Sequence, residues 1–153
     1  MKYRSLLLIA ILMLLAINVN ATNYYIDATA GNDANNGRSI TTAWQTIQKV
    51  QTSWSVFVAG DSILFKRGQT WAPSSGGGSN SLLQPNVNLT GTATNYIVFG
   101  AYGTGNRPII SCANQSGKYA IYTIGSRWQY VILQDLEFRG GLELWSYSAS
   151  MHH

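Results

Sequence analysis

The sequence predicts an all-β chain of the β-solenoid class, on three observations. Short β-rich runs return between Asn95 and Trp145: Tyr96–Phe99, Ile109-Ile110, Tyr119–Ile124, Tyr130–Leu133 and Leu142–Trp145. Turn-forming Gly, Asn, Ser or Pro separates most of them. Charged residues are only 10% of the chain, while uncharged polar residues fill the turns, as on an extracellular β-rich surface. A repeat array buries its apolar faces by stacking and needs atypical caps at both ends. One such end is visible here, so the chain is expected to be the front of a longer protein, truncated at its carboxyl end.

Residues 1–21 are expected to be a signal peptide. Lys2 and Arg4 precede an apolar run from Leu6 to Ile17, and Val19-Asn20-Ala21 offers a cleavage site after Ala21. A membrane anchor is the alternative, but a run of about a dozen residues is short of the roughly 20 needed to span a bilayer. The protein is therefore expected to be secreted and free of the membrane after cleavage. Residues 22–153 then form one domain, the cap and first coils of the solenoid. The stretch Pro73–Ser81, rich in Gly and Ser, is flanked by strand signals and reads as an excursion loop from one coil.

Charge narrows the partners. Lys2 and Arg4 leave with the leader, so ten basic residues become eight against six acidic ones. These are scattered without a cluster, which excludes a nucleic-acid footprint. An acidic polymer remains compatible. Cys112 is the single cysteine, so no internal disulfide forms, and its neighbours predict a small buried side chain.

The elements ahead of the repeats follow a definite order. Tyr24-Tyr25-Ile26 is a short β run, and Gly31–Gly37 is turn-rich. Thr42-Ala43-Trp44-Gln45 fits a capping box, with Trp44, Ile47, Val50 and Trp54 following at helical spacing. The spacing predicts one short amphipathic helix, laid across the open end of the stack and covering backbone groups that invite edge pairing. Gly60-Asp61 then turns the chain into the strand Ser62–Phe65, which Gly68 ends.

Tyr24-Tyr25-Ile26-Asp27, the Gly31-Asn32-Asp33 and Asn36-Gly37 loop, Ala43–Gln48 and Gly60–Gly68 stand in the order seen at the amino-terminal cap of secreted right-handed parallel β-helix proteins of the pectate-lyase-like superfamily. Asn95–Gly103 with Pro108–Ile110, and Tyr130–Gly140, look like the first coils of that fold. The chain resembles that superfamily over essentially all of residues 22–153. The resemblance implies a right-handed parallel β-helix with a short amino-terminal capping helix. It also implies a carbohydrate-active protein, a polysaccharide lyase before a glycoside hydrolase, acting on an extracellular and acidic polysaccharide. Its catalytic residues usually lie on later coils, and the full-length protein is expected to be a monomer. A non-catalytic glycan-binding or adhesive β-helix is the alternative, and a fragment without activity of its own is a third.

The chemistry can be set against the residues. A uronate lyase needs a base, and a cation to hold the carboxylate on which charge develops. Lys66, Arg67, Arg107, Lys118, Arg127 and Arg139 are the basic candidates. Arg139 is the best placed, because Asp135, Glu137 and Arg139 alternate onto one strand face while Leu136 and Phe138 point inward. A solvated outer face is the plainer reading of the same pattern. Asp135 and Glu137 would also sit roughly 6 to 7 Å apart, a carboxylate spacing that hydrolases use. Lys66-Arg67 reads as structural. Asp27, Asn32, Asp33 and Asn35 supply the hard oxygens calcium prefers, yet without the spacing of a known loop and with ordinary turn work to do. No cofactor is evident, and calcium stays open for the full-length protein. Trp71 and Trp128 are candidate sugar-stacking platforms or, alternatively, core. His152 and His153 read as a terminus without partners.

Overall fold

A computed structural model of the chain describes residues 20–72, 81–85, 87–112, 117–123 and 128–143. The signal-peptide run, the Gly/Ser stretch before Ser81, Arg127, Trp145, His152 and His153 lie outside the described residues, as does all but the edge of the leader's cleavage site.

Among the described residues twelve strands form a parallel β-helix. They are β1 (Asn23–Ile26), β2 (Ser62–Lys66), β3 (Thr70–Trp71), β4 (Ser81–Leu83), β5 (Leu89–Thr90), β6 (Ile97–Tyr102), β7 (Ile109–Ser111), β8 (Tyr119–Tyr122), β9 (Trp128–Gln129), β10 (Val131–Leu133), β11 (Glu137–Arg139) and β12 (Gly141–Glu143). The first sheet runs β1-β2-β6-β10, the second β11-β7-β3, the third β12-β8-β4, and the fourth pairs β5 with β9. Every pairing is parallel. The chain thus visits the sheets in one order and returns a layer higher: β2 to β5 make one coil, β6 to β9 the next, and β10 to β12 begin a third.

Register turns this winding into a core. Tyr24, Ile63, Phe99 and Leu133 are aligned across the first sheet, as are Trp71, Ile110 and Phe138 across the second. Side chains alternate along a strand, so each aligned set points to the same side of its sheet. Ile63, Phe65, Phe99, Ile110 and Ile121 are fully buried. Leu89 and Trp128 align across the fourth sheet, and Trp128 stacks flat on Phe99 at 5.6 Å between centroids. Strands of two or three residues, such as β3, β5 and β9, carry too little alternation to signal themselves in the sequence. Their place is fixed by the neighbour above or below.

The cap differs from its expected form in one respect. Thr42 does not begin a helix: its hydroxyl donates to Asn36 Oδ1 at 2.9 Å, and it closes a single 3-10 turn, Ile40–Thr42, capped by Ser39. The helix α1 is Ile47–Thr52, and its N-cap is Thr46, whose Oγ1 accepts from the Lys49 amide at 3.1 Å. Asp33 outcompetes the capping box, because it accepts from the amides of Gln45 (2.7 Å) and Thr46 (3.0 Å) and from the Thr46 hydroxyl (2.5 Å). Ile47 and Val50 point α1 into the core, and Gln51 Nε2 and Trp54 Nε1 donate to the carbonyls of Leu82 and Gln84. The backbone edge of β1 is covered not by that helix but by the loop that joins β1 to it. Tyr25 donates to Gly37, Trp44 donates to Tyr25, and Asp27 donates to Trp44, so that Trp44 serves as a one-residue strand beside Ile26. Among the described residues no helix is long and apolar enough to cross a membrane.

Candidate functional site

The outer face of the first sheet, and the corner where it turns into the second, gather the chemistry-bearing side chains of all three coils. With Ile63 and Phe65 buried, Leu64 and Lys66 of β2 face outward. Their register partners are Tyr25, Gly100 and Tyr102. The Tyr25 and Tyr102 rings meet edge to face at 5.1 Å. Gly100 gives Leu64 and Gln134 room to close over the sheet, at 3.5 and 3.6 Å from where its Cβ would stand.

Below the corner sits a polar node built on Asp27, which is 3% exposed. Lys66 Nζ donates to its Oδ2 at 2.6 Å, and Gln69 Nε2 to its Oδ1 at 2.7 Å. The amides of Thr29 and Ala30 donate to the same Oδ1, each at 3.0 Å. Gln69 is itself fixed, accepting from the Ala28 amide at 2.7 Å. Burial is the largest influence on Asp27 and opposes its charge. The Lys66 ammonium, the Ala30 amide, the Gln69 amide and the Thr29 amide together outweigh it and hold the carboxyl well below the usual carboxylate range. The Tyr102 phenol is pushed up to about 12 by burial, with the charge of Asp27 and then Tyr25 adding to it. Its hydroxyl is buried and finds no hydrogen-bond partner among the described residues.

Above the node the charges become exposed. Arg67 reaches Asp135 at 3.1 Å, and Arg139 Nε donates to Glu137 Oε1 at 2.7 Å. Asp135 is not a strand residue: it occupies the left-handed region at φ 57, in the bend between β10 and β11. The expected alternation therefore holds only for Glu137 and Arg139, with Leu136 and Phe138 packed against the core. Asp135 and Glu137 each hold a different arginine. Lys66 and Arg67 part company where β2 ends, Lys66 turning to the cap and Arg67 to the third coil.

The two tryptophans singled out by the sequence are packed. Trp71 is 4% exposed, stands edge to face on Phe65 at 5.0 Å, and its Nε1 donates to the Gln45 carbonyl. A sugar has no access to its face. Trp128 is half-buried with one face on Phe99, and its buried Nε1 lacks a partner among the described residues. Cys112 is buried, and burial pushes its thiol up, against the pull of Lys118.

The residues that invited calcium are engaged in the turns of the cap. Asp27 and Asp33 are committed to the contacts above, Asn32 Oδ1 accepts from the Ala34 amide, and Asn35 Nδ2 donates to the Ala43 carbonyl. Among the described residues no three His, Cys, Asp or Glu side chains converge as a metal site.

Tyr25, Asp27, Gln69 and Tyr102 escape sequence reasoning because up to 77 positions separate them and only the register joins them. The one local signal is Asp27 at the end of a β run, two residues before Thr29, the spacing of an Asx turn.

No family model and no curated protein sequence matches the chain. Solved structures do. A GH136 lacto-N-biosidase from Eubacterium ramulus superposes with a TM-score of 0.54 at 22% identity over 78% of this chain and 21% of its own. A rhamnogalacturonan lyase superposes with a TM-score of 0.55 at 21% identity over 77% of this chain and 28% of its own. At such identities the likeness is one of fold, and this chain spans about a fifth to a quarter of their length. Its fold is that of a parallel β-helix shared with these two carbohydrate-active proteins.

Proposed function

We propose that the chain is the amino-terminal part of a secreted carbohydrate-active β-helix protein that acts on an extracellular acidic polysaccharide. In this reading the corner of the first and second sheets is a binding strip, and lyase chemistry belongs to further coils. The observation that carries it is the pairing state of Arg67, at that corner, and of Arg139, at the far end of β11. Arg67 and Arg139 are held by Asp135 and Glu137, whose side chains are 48% and 44% exposed. The Arg139 pair, with both partners about half exposed, contributes only about 0.2–1 kcal/mol, and the Arg67 pair, whose guanidinium side is 23% exposed, lies between that and a buried pair. A uronate carboxylate can therefore take over either guanidinium at small cost and gain a two-pronged contact. The Tyr25 and Tyr102 rings, with the amides of Gln69 and Gln134, supply apolar and hydrogen-bonding surface beside it.

A second reading, a non-catalytic glycan binder, is favoured by one specific observation. The corner carboxylates Asp27, Asp135 and Glu137 each already hold a cation. The corner supplies contacts and offers no free carboxylate to act as base.

The experiment is affinity electrophoresis of the full-length protein through gels containing polygalacturonate, rhamnogalacturonan or a neutral glucan. Ultraviolet absorbance of the polymers after incubation runs alongside. Retardation on the acidic polymers, reduced several-fold in Arg67→Gln and Arg139→Gln, is the expected result. An unsaturated-uronate absorbance identifies the lyase, and retardation without it identifies the binder. Equal mobility in all three gels refutes the proposal.

A further inference from the structure

Among the described residues a second buried carboxylate, beside Asp27, has no counter-ion, and its position says what supplies one. Asp61 is 1% exposed, at the turn into β2. Its Oδ2 accepts from the Val58 amide at 2.9 Å and its Oδ1 from the Thr22 nitrogen at 2.8 Å. Among the described residues no Lys, Arg or His forms an ion pair with it; the three ion pairs there involve Asp27, Asp135 and Glu137. Buried carboxylates are ordinarily paired with a cation, because burial disfavours the charged form. Asp27 follows that rule and Asp61 does not.

The nitrogen on Asp61 is that of the residue directly after the sequence-predicted cleavage point. Thr22 is anchored on its other side too, its carbonyl accepting from the Ser62 amide at 2.9 Å, while the Asp61 carbonyl accepts from Val98 at 2.9 Å. Ala21 is exposed and Thr22 half-buried, so burial begins at this bond. We propose that the bond between Ala21 and Thr22 is the leader-cleavage site, and that the Thr22 α-ammonium it releases is the missing counter-ion of Asp61. Water adds across the amide as its C–N bond breaks. Ala21 leaves as a carboxylate with the leader, and the Thr22 nitrogen takes up protons to become an ammonium. An amide nitrogen that offers one neutral N–H becomes a cation with three, held against a buried anion. Processing thereby locks β1 onto the first full coil and onto β6 above it. The unprocessed chain keeps an uncompensated carboxylate at the same turn.

This inference rests on the secreted reading, and one pair of measurements separates the two. The protein is produced from its full coding sequence with its own leader, and the mature amino terminus is read by intact mass. The α-amine is then acylated at pH 7 in the native and the urea-unfolded protein. A start at Thr22 with native acylation slower by about tenfold is the expected result; that factor corresponds to about 1.4 kcal/mol of pairing. A variant whose processed chain retains Ala21 should lose the protection, since its ammonium lies one residue further out. A start elsewhere in the leader leaves secretion standing and overturns the lock. A start at Met1 overturns both. A Thr22 amine that reacts at the unfolded rate, or equal protection in the Ala21-retaining form, also overturns the lock.

Discussion

Replacing Lys66 by Met tests whether the corner is built on an ion pair or on packing. The substitution keeps the length of the stem and removes the ammonium 2.6 Å from Asp27. Breaking a fully buried pair costs about 3–5 kcal/mol. Here Asp27 is 4% exposed at its side chain but Lys66 is 40% exposed, so water screens one partner. Gln69 and two backbone amides also remain on the carboxylate. A loss of about 2 kcal/mol at pH 7 is expected, between the buried limit and the 0.2–1 kcal/mol of a surface pair. The pH dependence is the sharper part. In the native wild type Asp27 ionises well below the usual carboxylate range, whereas the unfolded chain takes up a proton near 3.9. The wild-type advantage is therefore complete above about pH 5. It falls by about 1.4 kcal/mol for each unit below about 3.9, as the unfolded chain binds a proton that the native state refuses. In Lys66→Met burial acts with less opposition and Asp27 ionises higher, so the variant loses little over that range. Urea unfolding followed by tryptophan fluorescence at pH 7 and pH 3 reads both quantities. A gap of about 2 kcal/mol that shrinks to about 1 at pH 3 supports the pairing. A gap that is the same at both pH values would mean that Lys66 contributes only its stem.

Three further outcomes follow from particular contacts. Gly37→Ala should destabilise by at least about 2 kcal/mol in thermal unfolding: Gly37 has φ +74, and a Cβ there would stand 2.6 Å from the Trp44 ring, against which no flexible side chain can yield. Tyr102→Phe should be neutral or stabilising by up to about 1 kcal/mol in urea unfolding, because it removes a buried hydroxyl without a partner and keeps the ring on Tyr25; a destabilisation beyond that would show that the hydroxyl is satisfied. Cys112 should resist a disulfide reagent at pH 8 in the native protein and react fully in urea, since burial both hides the thiol and raises its ionisation; rapid native labelling would contradict that placement.

Much of the fold was legible because it is written in local period. Runs such as Ile63–Phe65 and Ile97–Phe99 are apolar throughout and bounded by turn residues, which marks them as strands, while the face each residue takes is set by the coil register. The helix was legible as a helix and misread at its start. Thr42 and Gln45 satisfy the capping-box spacing, but Asp33 captures the Gln45 and Thr46 amides from outside the helix, a contact no local pattern reveals. The third coil shows the same limit. Leu136 and Phe138 point inward as their spacing predicts, yet Asp135 lies in the bend between two strands, at φ 57, where it meets Arg67 from two coils below. Trp71 shows how a loop neighbourhood misleads: the residue beside the Gly/Ser stretch is the second half of a two-residue strand and lies in the core. Site residues were hidden for the reason that helps make solenoids stable. Their partners are one or two coils away, and only the register sets the distance.

That geometry also divides the charges by kind. Asp27 sits where the cap meets the first coil, beneath Lys66 and Gln69, so its carboxylate is desolvated and rigidly held although water reaches the Lys66 ammonium. A ligand would have to break four donors to reach it. Asp135 and Glu137, the carboxylates that hold Arg67 and Arg139, are 48% and 44% exposed, so water weakens their side of each pair and a competing carboxylate can enter. The same residue types thus do opposite work according to depth: the inner pair fixes the cap, and the outer pairs are exchangeable. This difference predicts a salt dependence for the proposed binding. Raising ionic strength from low to physiological should weaken the retention of acidic polymers through Arg67 and Arg139, while the pairing at Asp27, screened far less, leaves the fold in place. A retention that salt does not touch would move the contact to the Tyr25 and Tyr102 rings and make the arginines part of the scaffold.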